Sequence, residues 1–189
     1  MNRRKAITQV GLILGGTVAG STFFVTKGFK SSPKKVNSLF DTDQVDLMNE
    51  IADIILPTSD TPGAKAANAG SFMALMVKDC YNEKDQKIFI EGIDKLNIHC
   101  KNKFDKQFME CKPGQRTEIL KMLDVEQKKY MGDKKSEDPN HYFRMMKELT
   151  IIAFFTSETG ATKTLRYIAV PGKYQGDVPY KKGDKAWAA

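Results

Sequence analysis

The residues that could do chemistry are few and scattered. There are two histidines, His99 and His141, and three cysteines, Cys80, Cys100 and Cys111. A transition-metal site needs three or four convergent donors, and paired histidines on one helix face are the usual signal. His99 lies in a polar helical stretch and His141 near a helix start, and neither has a second histidine or a carboxylate at ligand spacing. Both read as surface or capping histidines. The cysteines form no C-x-x-C and no C-x-x-C-H, so neither a zinc ribbon nor covalent haem is signalled. An odd count leaves at least one thiol outside any internal pair. Cys80–Cys100 and Cys100–Cys111 are both open as pairings, and sequence does not choose between them. The acid pairs Asp41/Asp43 and Glu137/Asp138 fall at predicted helix starts, where the helix dipole already accounts for them. Met145 and Met146 read as core filler. No phosphate-binding glycine loop, zinc-protease helix or nucleophile elbow is present. The expectation is a chain with no catalytic residue, no metal ligand and no cofactor-binding residue of its own.

The amino terminus carries a different kind of information. Arg3, Arg4 and Lys5 precede an uncharged run from Ala6 to Thr26, and Lys27 and Lys30 follow. A positive start followed by an apolar stretch is the layout of an export signal. The apolar part, Val10 to Val25, is diluted by Gly11, Gly15, Gly16 and Gly20 and by three hydroxyl residues. A spanning helix needs about 20 predominantly apolar residues, and this stretch falls short in quality. Paired arginines before a weak, glycine-rich segment resemble a twin-arginine (Tat) signal, an address read by a receptor. An ordinary signal, or an uncleaved anchor using the arginines as positive-inside charges, are the alternatives. No small-x-small cleavage site follows Val25, so the segment can remain as a membrane tether. The expected location is the periplasm, reached by the Tat route. That route carries folded proteins, many of them loaded with a cofactor. A passenger with no place for one points to a cofactor riding on a partner.

The net charge of +7 would suggest nucleic acid. Residues 1–30 hold five positive charges and no acid, which leaves +2 for the remainder, with both signs interspersed. A basic-patch reading is therefore weak. Residues 31–40 read as a linker and 41–189 as one domain. Asp41-Thr42-Asp43 offers helix caps, and Val45, Met48, Ile51, Ala52 and Ile55 follow at helical spacing until Pro57. Residues 58–70 form a loop rich in turn formers. A second helix is predicted over 71–81 with Phe72, Leu75, Met76 and Cys80 facing in. A third, over 83–103, carries a stripe of Ile88, Phe89, Ile93, Leu96 and Cys100. A fourth opens at Pro113 and runs to about Tyr130. The last, over 141–155, buries Tyr142, Phe143, Met146, Leu149, Ile152, Ala153 and Phe155. After Tyr167 the tail is irregular. No alternating pattern signals a sheet, so the fold class is all-α, five or six helices around one core.

Two stretches carry a family resemblance. One is Ile54-Ile55-Leu56-Pro57-Thr58-Ser59-Asp60-Thr61-Pro62-Gly63-Ala64. The other is Phe154-Phe155-Thr156-Ser157-Glu158-Thr159-Gly160-Ala161, followed by Val170-Pro171-Gly172-Lys173-Tyr174. With the Tat-like start, they resemble the gluconate 2-dehydrogenase subunit 3 family over about residues 41–180. The resemblance implies a small non-catalytic subunit. Its partner would be a large FAD-containing dehydrogenase of the glucose–methanol–choline (GMC) type, acting on sugars or sugar acids, often with a cytochrome c subunit. The small subunit would carry the export signal and serve maturation of the catalytic one. On this reading Arg3 and Arg4 form the export signal, and Thr61, Pro62, Phe154, Phe155, Thr156, Ser157 and Glu158 form the partner-binding face. From the residues alone, Thr58–Gly63 would make a capped tight turn and Gly160 a left-handed helix cap. A stand-alone, membrane-tethered helical binding module is the competing function.

Overall fold

A computed structural model describes residues 34–170, 172–173 and 176–188. The export segment with Arg3 and Arg4 lies outside these residues. The described residues form five α-helices and no strand: α1 Thr42–Ile55, α2 Ala69–Cys80, α3 Glu83–Phe104, α4 Pro113–Asp133 and α5 Tyr142–Phe155. Two 3-10 turns, Ala64–Ala67 and Phe108–Glu110, and a π turn, Gly160–Thr164, join them. None of these helices is long and apolar enough to cross a membrane.

Local chemistry sets the boundaries. Asp41 caps α1 reciprocally with Gln44: the Gln44 N–H donates to Asp41 Oδ1 at 2.9 Å, and the Asp41 N–H donates to Gln44 Oε1 at 3.1 Å. Such a box satisfies two amide donors that the first turn would leave unpaired. Leu56 ends the helix by leaving the helical region (φ −132°, ψ 81°), which the proline after it disfavours. Asn82 caps α3 through the Asp85 N–H at 2.9 Å, with Glu83 and Asp85 in the first turn and Lys101 and Lys103 in the last. That charge order complements the helix dipole. Pro113 opens α4 where a missing N–H costs nothing. His141 caps α5, its Nδ1 accepting from the Phe143 N–H at 3.2 Å.

One core unites the helices. Met48, Ile51, Met73, Phe89, Leu96, Ile119, Leu123, Met146 and Phe154 are all essentially sealed from water. The stripes expected on α1 and α3 are the buried ones, with Ile55 and Ile88 half-buried at their edges; α4 buries Ile119, Leu120 and Leu123. The stripe expected on α2 is rotated. Leu75 and Cys80 face solvent, while Ala69, Gly70, Met73, Ala74 and Val77 face in. The cause is backbone proximity. At Gly70 a Cβ would lie 2.4 Å from the Val45 carbonyl oxygen, so α2 crosses α1 at its small residues and the larger side chains turn away. Residues 35–40, expected as linker, pack on the domain. Phe40 is buried, edge-on to Phe89 at 6.1 Å, and Asn37 donates to the Ala74 carbonyl at 3.0 Å. Glu137 and Asp138 lie in the loop before α5 rather than at its start, and Asp138 Oδ2 accepts from the Lys135 N–H.

Candidate docking site

The two family-like stretches converge on α5. The first leaves α1 at Leu56 and returns at Ala64, whose N–H donates to the Leu56 carbonyl at 2.9 Å. Inside this loop Thr58 Oγ1 accepts from the Gly63 N–H at 3.1 Å, and the Ser59 N–H donates to the Thr61 carbonyl at 3.0 Å. Gly63 is extended, not turned. Its need is space: a Cβ there would sit 2.6 Å from the Thr58 nitrogen. The expected tight turn at Pro62-Gly63 is thus replaced by a close crossing of loop backbones. Thr61 and Pro62 end half-buried at the loop's edge. The following 3-10 turn packs on α1, α2 and α5. An ion cluster clamps it. Lys65 pairs with Glu50 of α1, and Arg116 of α4 pairs with the same carboxylate at 2.8 Å. Arg116 also donates to the Phe108 and Met109 carbonyls at 3.0 and 2.6 Å. Glu50 raises the pKa of Lys65 by accepting its hydrogen bond. This clamp joins residues 66 positions apart, a separation that no spacing rule reveals.

The second stretch begins inside α5. Phe154 is buried in the core, whereas Phe155 is 39% exposed, and the two rings meet edge to face at 5.2 Å. The aromatic pair expected on the partner-binding face is therefore split: Phe154 is a core residue of this chain and a prop for Phe155. Ile151 and Ile152 are also exposed, so Ile152 and Phe155 leave the buried stripe expected of them. The helix closes tightly. Thr156 Oγ1 donates to the Ile152 carbonyl at 2.6 Å. Ser157 Oγ donates to the Phe154 carbonyl at 2.7 Å and accepts from the Gly160 N–H at 3.0 Å. Thr156 and Glu158 are exposed and Ser157 half-buried. Gly160 is not a left-handed cap; among the described residues only Gly172 and Gly183 are glycines with positive φ. It starts the π turn, and a Cβ there would lie 1.9 Å from the Phe154 carbonyl oxygen. The tail then folds back. The Arg166 N–H donates to the Ala186 carbonyl at 2.8 Å, the Ala188 N–H donates to the Arg166 carbonyl at 2.9 Å, and the Arg166 guanidinium sits 4.8 Å over the Trp187 ring.

Beside the first stretch, Ile54 and Ile55 of α1, Leu120 and Asp124 of α4, and Phe143 and Lys147 of α5 line a shallow cleft. Asp124 binds Lys128 at 2.7 Å and Lys147 at 2.5 Å and accepts from the Gln127 amide at 3.2 Å. The Lys128 and Lys147 hydrogen bonds hold its carboxyl down to about 2. A depressed carboxylate stabilises the fold above its unfolded pKa, near 4, and that contribution fades as pH falls toward 2. Asp124→Asn is expected to cost on the order of 1 kcal/mol at pH 7, after allowance for solvent screening. It should cost almost nothing near pH 2. Urea titrations of both proteins across that range check this; a gap that does not narrow with acid would contradict it.

His141 is held below the ordinary histidine pKa by burial, only partly offset by Glu126, whose Oε1 lies 3.5 Å from Nε2. It stacks on Tyr142 at 4.5 Å and works as a cap. Among the described residues no group of three or more His, Cys, Asp or Glu could hold a metal ion. Both family-like stretches meet α5, the first through the Ala64–Ala67 turn and the second as the helix's own end. Residues 42–172 match the family described as Gluconate 2-dehydrogenase subunit 3. The chain belongs to that family. Comparison with the curated proteins and with the solved structures finds no match. Membership makes the chain a subunit of a multi-subunit dehydrogenase.

Proposed function

We propose that this subunit-3 chain is the non-catalytic escort of a periplasmic flavin dehydrogenase. It binds a large FAD-containing, GMC-type subunit that oxidises a sugar or sugar acid, and takes it through the Tat route by means of Arg3 and Arg4. A cytochrome c subunit would accept the electrons. The observation that carries this reading is the exposed apolar group Ile151, Ile152 and Phe155 at the end of α5, inside the family match. Apolar side chains left clustered outside a well-filled core are typical of a docking surface, and a rigid aromatic at its centre makes an effective anchor. Phe154, packed edge-on behind it, holds the Phe155 ring in place. The exposed Thr156 and Glu158 would supply the polar rim, and the loop at Thr61 and Pro62 a separate contact.

Burial separates the two phenylalanines experimentally. Phe155→Ala is expected to leave thermal stability nearly unchanged while reducing co-purification of the flavin subunit at least tenfold. Phe154→Ala is expected to cost about 3–5 kcal/mol of folding stability, so lost binding in that variant says nothing about docking. Co-expression with affinity capture, paired with melting curves, checks both. Full retention of the partner by Phe155→Ala would remove α5 from the interface. A chain that purifies alone as a well-behaved monomer would favour the tethered-module function instead.

A further inference from the structure

Cys100 and Cys111 are eleven residues apart in sequence and meet in the core. Cys100 lies in the last turn but one of α3, fully buried; Cys111 follows the Phe108–Glu110 turn, 3% exposed. The turn is fastened to α3 one helical turn before Cys100, where the Phe108 N–H donates to Asn97 Oδ1 at 3.1 Å. The Arg116 side chain, donating to the Phe108 and Met109 carbonyls, fastens it from the α4 side. The Cys111 N–H donates to both the Gln107 and Phe108 carbonyls at 3.2 Å, which holds the backbone that carries its side chain. Burial pushes the Cys100 thiol up to about 12, and the Cys111 thiol beside it adds to the shift. No disulfide joins the two in this structure. Cys80 is placed differently: it is exposed at the end of α2, its sulfur 3.9 Å from Met76 Sδ.

We propose that Cys100 and Cys111 form an internal disulfide once the folded chain meets a disulfide donor, leaving Cys80 as the free thiol. The chemistry needs a thiol–disulfide oxidant, either a disulfide-bearing protein or a small-molecule disulfide. Local opening of the turn exposes Cys111, which loses its proton and attacks one donor sulfur. The donor's S–S bond breaks, and its other sulfur leaves as a thiolate that takes up a proton. Cys100 then gives up its proton to solvent and attacks the Cys111 sulfur, releasing the second donor thiol. Two protein thiols are oxidised by two electrons and one donor disulfide is reduced to two thiols. Cys100, sealed inside α3 while Cys111 sits in the connecting turn, is the poorer first nucleophile, which sets this order. The bond would staple α3 to the start of α4, across the one connection between them.

The staple fits a subunit that folds in a reducing compartment and works in an oxidising one, and to that extent it rests on the export reading. Its test does not. Full-length reduced protein is incubated with oxidised glutathione, quenched in acid, denatured and alkylated. Trypsin digestion is expected to join the peptide 96–101 to the peptide 107–116, with Cys80 alkylated or glutathionylated. The oxidised protein should melt higher than the reduced one, and Cys100→Ala and Cys111→Ala should each abolish the shift, while Cys80→Ala keeps it. Free Cys100 and Cys111 after prolonged exposure, glutathione trapped on either without closure, or a bridge that includes Cys80 would each overturn the proposal. Protein recovered from the periplasm with this bridge supports both readings; a bridge formed only in vitro keeps the disulfide and counts against export.

Discussion

Replacing Arg3 and Arg4 together with lysine is expected to leave this chain in the cytoplasm, and the flavin subunit with it. The substitution keeps both positive charges. An ordinary signal or a positive-inside anchor reads charge, so either should tolerate it. A twin-arginine address is read by a receptor, and guanidinium geometry is what lysine lacks. Fractionation and immunoblotting of both subunits separate the outcomes. Loss of both from the periplasm supports the escort role. Normal export of this chain would refute the Tat reading. Retention of this chain with normal export of the flavin subunit would refute the escort, since the partner would then hold its own address.

A large structural effect is also expected where the helix backbones touch, at Gly70. There α2 crosses α1 with no room for a side chain: a Cβ would meet the Val45 carbonyl oxygen at 2.4 Å and the Asn49 nitrogen at 2.8 Å. Both are helix backbone atoms and neither can swing aside. The Gly70 N–H also donates to Asn49 Oδ1 at 2.8 Å, a bond that any separation of the helices would stretch. Gly70→Ala should therefore cost about 2–3 kcal/mol through overpacking, despite alanine's better helix propensity. For a chain of this size that is a fall in melting temperature of roughly 5–10 °C. Gly132→Ala is the control. It lies in α4 with nothing within 4 Å of the added methyl, and a stabilisation of up to about 1 kcal/mol is expected from propensity alone. Equal melting temperatures for the two variants would mean that α1 and α2 do not cross at Gly70.

The same crossing explains what the sequence could and could not reveal. Stripes of large side chains on α1 and α3 were legible because burial there follows the largest apolar residues. On α2 it does not: the contact is made by Ala69, Gly70, Met73 and Ala74, and size misleads where backbones touch. The split between Phe154 and Phe155 was illegible for a related reason. Adjacent residues on a helix differ by about 100° in direction, and only the position of the core decides which of two equal rings is inside. Gly160 looked like a cap because glycine after a helix usually is one; here it clears a carbonyl. The family-like loops were legible as motifs, but the Lys65–Glu50–Arg116 clamp that fixes the first of them was not, because it depends on tertiary proximity. The same holds for the pairing of Cys100 with Cys111, which two spacings allowed and only the packed turn distinguishes.

The return of the tail has a practical corollary. Because Arg166 is held to Ala186, Trp187 and Ala188, the chain closes on itself at that point, and the closure does not depend on how many residues lie between. Doubling such a loop costs only about 0.6 kcal/mol in closure entropy. An epitope or fluorophore sequence spliced in near Gly183 should therefore report on the subunit in place, without loading either chain end and without disturbing the helices beneath.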